Sequence, residues 1–254
     1  VMAQQITLTK EQIVALTPEW KGSRLPDGRP DIPDTQLERL KNVSIEEAWG
    51  ILRNKGYHNQ FEGDWMLLKP DQVLTGRALT VQYLPKRPDY DNLIKEKGKA
   101  EKRIGGFNSW PIDMLKPGDV YVADGYGKII DGTLIGDNLG NSIYRNSKNG
   151  VIFNGAVRDA EGLTKIEGFN AWVKGYDPSF IQEVMLGAIN VPIRIGRTTT
   201  IEHYVIYGQG DRLVSTSTRW VGGSSSAVDR PARPLPTMMT SWCSVLMNRI
   251  RWVG

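Results

Sequence analysis

Residues 131–159, DGTLIGDNLGNSIYRNSKNGVIFNGAVRD, decide how this chain reads. Asp131-Gly132 and Gly136 are turn signals, and Asp137-Asn138 opens a helix. Val151-Ile152-Phe153 is then a short apolar strand that empties through Gly155 into Arg158-Asp159. A helix beginning near Asp137 has free N–H groups on its first turn, and glycine at position 136 lets a ligand come close to the backbone. Two carboxylates and one guanidinium therefore fall at the mouths of neighbouring elements, which suits a small oxyanion. Taken alone, Asp137 is equally a helix cap, and Arg158-Asp159 equally a surface ion pair.

Several short signals agree in order here. Asp137 is followed by twenty residues and then by Arg158-Asp159, with Asn154-Gly155-x-Val157 directly before them. This pattern resembles the RraA-like family, which includes class II 4-hydroxy-4-methyl-2-oxoglutarate aldolases and regulators of ribonuclease E activity. The resemblance covers roughly residues 43–196. It implies an α/β fold, a layered α/β/β/α domain with a swivelling-type β/β/α core.

The family's chemistry follows from the same resemblance. Asp159 would hold a divalent metal, Mg2+ or Mn2+, and Asp137 would orient a water on it. Arg158 would face the oxygens of a small 2-oxo acid, and the backbone at Gly136, Asn138 and Leu139 would receive the substrate carboxylate. Glu47 and Glu161 would be outer members. The implied activity is a metal-dependent carbon–carbon lyase that cleaves a 4-hydroxy-4-methyl-2-oxoglutarate-like substrate through a pyruvate enolate, with oxaloacetate decarboxylation at the same site. The pattern departs at one place: the family commonly carries another acidic residue three positions after the metal aspartate, where this chain has Gly162. The other function the resemblance implies is a noncatalytic regulator that binds a protein. A homotrimer or hexamer is implied in either case.

The rest of the chain is consistent with an α/β domain. Leu37, Leu40, Ile45, Ala48, Trp49 and Leu52 recur at helical spacing, with Ser44 as an internal cap that Glu46 and Glu47 follow. Strands are predicted at Val73–Tyr83, Val120–Ala123, Asn170–Gly175 and Val191–Gly196. Helices are predicted at Lys10–Leu16, Glu161–Glu167 and Pro178–Leu186. Alternation of this kind indicates α/β architecture, while the absence of GxGxxG in a strand–helix context and of GxxxxGK[ST] argues against dinucleotide and nucleotide-triphosphate binding. His58, in the polar stretch GYHNQFEG, has no second histidine or carboxylate at a metal-binding spacing and reads as a loop residue at the lip of the cleft.

Three segments are expected: an arm over residues 1–35 that lies across a neighbour, the domain over 36–199 with a charged insertion at 85–106, and an atypical segment over 200–254. The insertion mixes both signs without an aromatic ladder, which argues against nucleic acid. Residues 197–254 hold seven arginines, no lysine and three acidic residues, and account for the whole formal charge of +4. A natural tail, an arginine-rich binding tail and a shifted reading frame are the alternatives for that stretch. One cysteine, Cys243, leaves no intrachain disulfide. With no apolar run of about eighteen residues and no signal-peptide core in VMAQQITLTKEQ, a soluble cytoplasmic protein is expected.

Overall fold

The computed structural model of the chain describes residues 5–196, 199–201 and 205–216. In chain order its elements are α1 (Lys10–Leu16), α2 (Asp34–Leu40), α3 (Ile45–Asn54), β1 (Phe61–Glu62), β2 (Met66–Leu67), β3 (Leu74–Pro85) and α4 (Pro88–Ala100). They continue with β4 (Asp119–Asp124), α5 (Asp137–Ser147), β5 (Val151–Val157), α6 (Ala160–Thr164), β6 (Ala171–Tyr176) and β7 (Val184–Ile189). The last are β8 (Ile193–Ile195), β9 (Thr199–Ile201), β10 (Val205–Gln209) and β11 (Arg212–Thr216).

Strands β3, β4, β5 and β6 lie side by side and parallel, and α4, α5 and α6 make the crossovers between them. Parallel strands covered on both faces read as unbroken apolar runs, and every residue of β5 is buried. Alternate side chains serve two cores. Tyr121, Phe153 and Val173 face the layer built with Ile94, Ile143 and Leu163, from α4, α5 and α6. Val122, Ile152 and Trp172 face Trp65, Ile193, Ile195 and Ile201. The main sheet runs β1-β11-β10-β3-β4-β5-β6-β2, with β7 also paired to β3, and β8 pairs with β9 in a second small sheet. This is the layered α/β architecture expected. No helix among the described residues is long and apolar enough to cross a membrane.

Helix boundaries agree with local chemistry. Thr9 and Gln12 form a capping box at α1, and Ser44 and Glu47 form another at α3. The charged insertion is a helix, α4, which opens with Pro88 and buries Ile94 and Gly98.

Two expectations are corrected. Pro178–Leu186 is a loop followed by β7, because Val184, Met185 and Leu186 pair antiparallel with Pro85, Leu84 and Tyr83; long-range pairing overrides a helical spacing of Phe180, Ile181, Val184 and Met185. The break expected at residue 199 is bridged, since β10 pairs with β3 inside the main sheet and β11 pairs with β10. Part of the expected arm is also built into its own chain. Ile6 enters the helix-side core at 1% exposure, and Arg29 is buried against Asp119 at 2.8 Å. Trp220, Cys243, Trp242 and Trp252, with the tail alternatives attached to them, lie outside the described residues.

Candidate functional site

The carboxyl ends of the central strands carry the polar groups of the quoted stretch. After Asp124 the chain loops through residues 125–136 and returns to β5, where Leu134 N–H bonds Ala156 O at 2.9 Å and Arg158 N–H bonds Ile135 O at 3.0 Å. Gly136 is thereby set against the end of β5 and becomes the N-cap of α5. A Cβ on Gly136 would stand 2.2 Å from Asp159 Oδ2 and 3.3 Å from Arg158 Cζ, so a larger residue there would have to displace the Asp159 carboxylate. Asp159 itself is left-handed, with φ 56°, a conformation that aspartate tolerates, and N-caps α6.

The two carboxylates lean on the first turn of α5. Asp137 Oδ1 accepts from its neighbour Asn138 N–H at 2.7 Å, and Asp137 Oδ2 lies 2.7 Å from where a Cβ of Gly162 would be. Asp159 Oδ2 is held over Gly136 and pairs with Arg158 Nη1 at 3.3 Å. Negative charge is stabilised at a helix N-terminus, so both side chains have a structural reason to be there. The Asn138 N–H assigned to substrate is thus already bonded, and Leu139 packs partly buried against the core.

Arg158 is differently placed. Its side chain is about one third exposed, as is that of Asp159, and the Phe180 ring lies over its guanidinium, Cζ to centroid 5.1 Å. Among the described residues its polar partner is Asp159, through Nη1. Phe180 is 59% exposed and sits on a loop stitched to the one before α5. Asp131 O accepts from Gln182 and Glu183 N–H, Asp131 N–H bonds Ser179 Oγ at 2.7 Å, Thr133 Oγ1 bonds Ser179 O, and Lys128 pairs with Glu183 at 2.6 Å. Ile130, 63% exposed, and Tyr126, 37% exposed, share this double loop. Tyr126 is held at φ 44°, an uncommon conformation for an aromatic residue, by its N–H bond to Asp124 Oδ1 and its hydroxyl bond to Glu183 O. Asp124 also accepts from Asn154 Nδ2 at 2.9 Å; burial pushes its carboxyl above the usual aspartate range despite these bonds.

The expected metal is corrected. Among the described residues no group of three or more His, Cys, Asp or Glu side chains could hold a metal ion. The reason lies in the donor set: Asp137 and Asp159 serve α5 and Arg158, and Gly162 stands where a further carboxylate would have to be, with Asp137 filling the space a side chain there would need. Asp159 as a ligand for Mg2+ or Mn2+ is therefore not supported. Of the outer members, Glu47 accepts from Ser44 N–H in the α3 capping box, and Glu161, exposed, pairs with Lys165 at 2.7 Å. Phe180, Ile130 and Tyr126 escaped the sequence reading because exposure at a loop has no periodic signature.

Comparison with known proteins adds to this geometry. A family model described as "RraA-like: Aldolase/RraA" matches residues 30–214. Protein DlpA of Legionella pneumophila is 33% identical over 130 residues, which is 50% of this chain and 18% of that protein. A Shewanella oneidensis protein named "Putative 4-hydroxy-4-methyl-2-oxoglutarate aldolase" is 34% identical over 103 residues, 37% of this chain and 62% of that protein. The chain thus spans less than two thirds of the length of either relative. The crystal structure of Streptomyces coelicolor RraAS2, "an unusual member of the RNase ES inhibitor RraA protein family", superposes with a TM-score of 0.61 at 21% identity over 88% of this chain and 98% of that one, a likeness of fold.

Proposed function

Since the chain belongs to the RraA-like family, we propose that it works as a noncatalytic interaction protein of the RraA kind, with the loops around Arg158 as its binding surface. The observation that carries this reading is how the charges at the end of β5 are used. Asp137 Oδ1 is spent on the first turn of α5 and Asp159 Oδ2 on Arg158, and beside that ion pair the Phe180 ring lies 5.1 Å from the guanidinium and stands 59% exposed. Such a surface favours a partner over a bond-breaking reaction, because exposed apolar groups beside a charged anchor are what interfaces bury. The protein named by the Streptomyces structure belongs to a family of RNase ES inhibitors, so a ribonuclease of that type is the partner to try first. Added in molar excess to RNase ES cleaving an RNA substrate, the chain should slow cleavage saturably; an unchanged rate overturns this partner.

A second reading, cleavage of a small 2-oxo acid, is favoured by the position of Arg158 beside the first turn of α5 and by the name of the Shewanella relative. Arg158 would then hold the ketone and carboxylate oxygens of oxaloacetate or 4-hydroxy-4-methyl-2-oxoglutarate, and would be most favourable as charge moves onto the ketone oxygen. Pyruvate release that disappears in Arg158→Gln is the result that would select it.

Homotrimeric assembly is part of the same proposal. Trp49 is 41% exposed on α3, with the Arg53 guanidinium over its ring at 5.4 Å, a pairing suited to an interface.

A further inference from the structure

We propose that residues 61–67 form a strap that lifts and recloses as a unit over the core of Val122, Ile152 and Trp172, with Trp65 as its plug and Lys174 as its latch. The inference does not rest on the reading of Arg158.

The strap joins the two ends of the main sheet. Phe61 and Glu62 pair antiparallel with Val214 and Leu213 of β11, while Met66 and Leu67 pair antiparallel with Val173 and Trp172 of β6. Because Glu62 and Met66 are so close in sequence, the strands that end the sheet come within roughly 14 Å of each other. The residues between them carry the fastening. Trp65 is 4% exposed in the core cluster of Trp172, Ile206 and Leu213, and its backbone N–H bonds Asp211 O at 3.2 Å. Lys174, a part-buried residue of β6, places Nζ 3.9 Å from the centre of the Trp65 ring and donates to Gly63 O at 2.9 Å and Asp64 O at 3.2 Å. A single ammonium thus grips the plug and two carbonyls of the strap.

Three features let this unit move without the rest. Its strands have 2 residues each, against 6 and 7 for β4 and β5. Phe61 and Met66 are already 37% and 47% exposed, so lifting brings chiefly Trp65 into water. Finally, Trp65 Nε1 is buried with no hydrogen-bond partner among the described residues, whereas Trp172 Nε1 in the same core donates to Gly210 O at 3.0 Å. Water satisfies that unmet donor once the strap is up, which offsets part of the cost of exposing the ring. A segment with a short ladder and few buried contacts opens at a lower free energy than the whole fold. Lifted, the strap uncovers an apolar slot; closed, it fills that slot with the chain's own indole.

The test is hydrogen exchange of the full chain read by mass spectrometry. It compares the peptide of residues 61–68, which holds the bonded Trp65 and Leu68 amides, with peptides from β4 and β5. The strap peptide should exchange at least about tenfold faster, at a rate nearly flat in urea below about 1 M, because a local opening exposes little surface. Exchange of β4 and β5 should rise steeply with urea. Two variants locate the opening. Lys174→Met keeps the stem of the side chain and removes the ammonium, so strap exchange should rise by about tenfold or more. Ile143→Val thins the other core, on α5; it should speed β4 and β5 by about two- to tenfold and leave the strap at its parental rate, since its contacts survive the lifting of the strap. Strap and central strands exchanging together with one urea slope overturn the proposal, as does strap exchange unchanged in Lys174→Met. A strap that Ile143→Val speeds as much as it speeds β5 also overturns it, because the strap would then open only with the whole fold. The urea comparison needs the parent chain alone, so it decides the matter even where a variant fails to fold.

Discussion

At the scale of single residues, the site depends on what glycine permits. Gly136 leaves the space into which Asp159 is folded, so Gly136→Ala should push the Asp159 carboxylate and the Arg158 guanidinium apart. The expected outcome is loss of Arg158-dependent binding with a stability cost of about 1–3 kcal/mol by urea denaturation, the range for an overpacked position. Binding unchanged in Gly136→Ala would mean that the clamp on Arg158 is irrelevant. Asp124 gives a prediction in pH. Its carboxyl is raised by burial, so the folded state holds the proton longer than the unfolded chain, and stability declines as pH rises from the ordinary aspartate range through the folded value. Asp124→Asn keeps an acceptor for Asn154 and Tyr126 and removes the buried charge. It should be more stable than the parent at neutral pH, with the difference fading once the pH falls below that range; a variant less stable at neutral pH would contradict this. Sequence order alone brought Asp137, Arg158 and Asp159 into one stretch. Which of their atoms would be spent on each other was not legible there, because that depends on Gly136 and Gly162 being close enough to exclude a side chain.

At the scale of elements, the amino-terminal arm is tied down by a buried charge network at the other end of the strands. Asp119 accepts from Arg29 Nη2 at 2.8 Å, Arg77 Nε at 3.1 Å and Lys116 N–H at 3.0 Å, while Arg77 also bonds Ile32 O and Pro117 O. Gly118, at φ 85°, allows the approach, since a Cβ there would meet Arg77 Nη2 at 2.4 Å. Asp119→Asn removes the shared counter-charge of two buried guanidinium groups and should destabilise the chain by roughly 3–5 kcal/mol in urea denaturation. A loss below 1 kcal/mol would show that the arm is held by its apolar contacts, chiefly Ile6 and Ile32. The helix opened by Ser44 was the most legible element, because its cap acts locally on its own backbone; α4, opened by Pro88, was read only as a charged insertion. Strand β7 was not legible, since its identity is set by pairing with Tyr83–Pro85 about a hundred residues earlier.

At the scale of the whole molecule, the parallel α/β core announces itself through apolar strands punctuated by helices, and the family through the spacing from Asp137 to Arg158-Asp159. The extent of the sheet did not, because β10 is recruited by β3, far away in sequence, and β11 by β10 and β1. Neither did the metal question, which turns on a single missing carboxylate at Gly162 and on how the two present ones are oriented. Assembly is open to direct measurement: light scattering should give a mass near three times 28.4 kDa, and a stable monomer would remove the oligomer from the proposal. Millimolar Mg2+ or Mn2+ should leave the melting temperature unchanged, and a saturable rise would restore the cation site. The most direct test of the noncatalytic reading is pyruvate release from oxaloacetate, followed for the full chain with Mg2+ present against the same buffer without protein. The two rates should be equal; a protein-dependent rate that is saturable in oxaloacetate and lost in Arg158→Gln would contradict it.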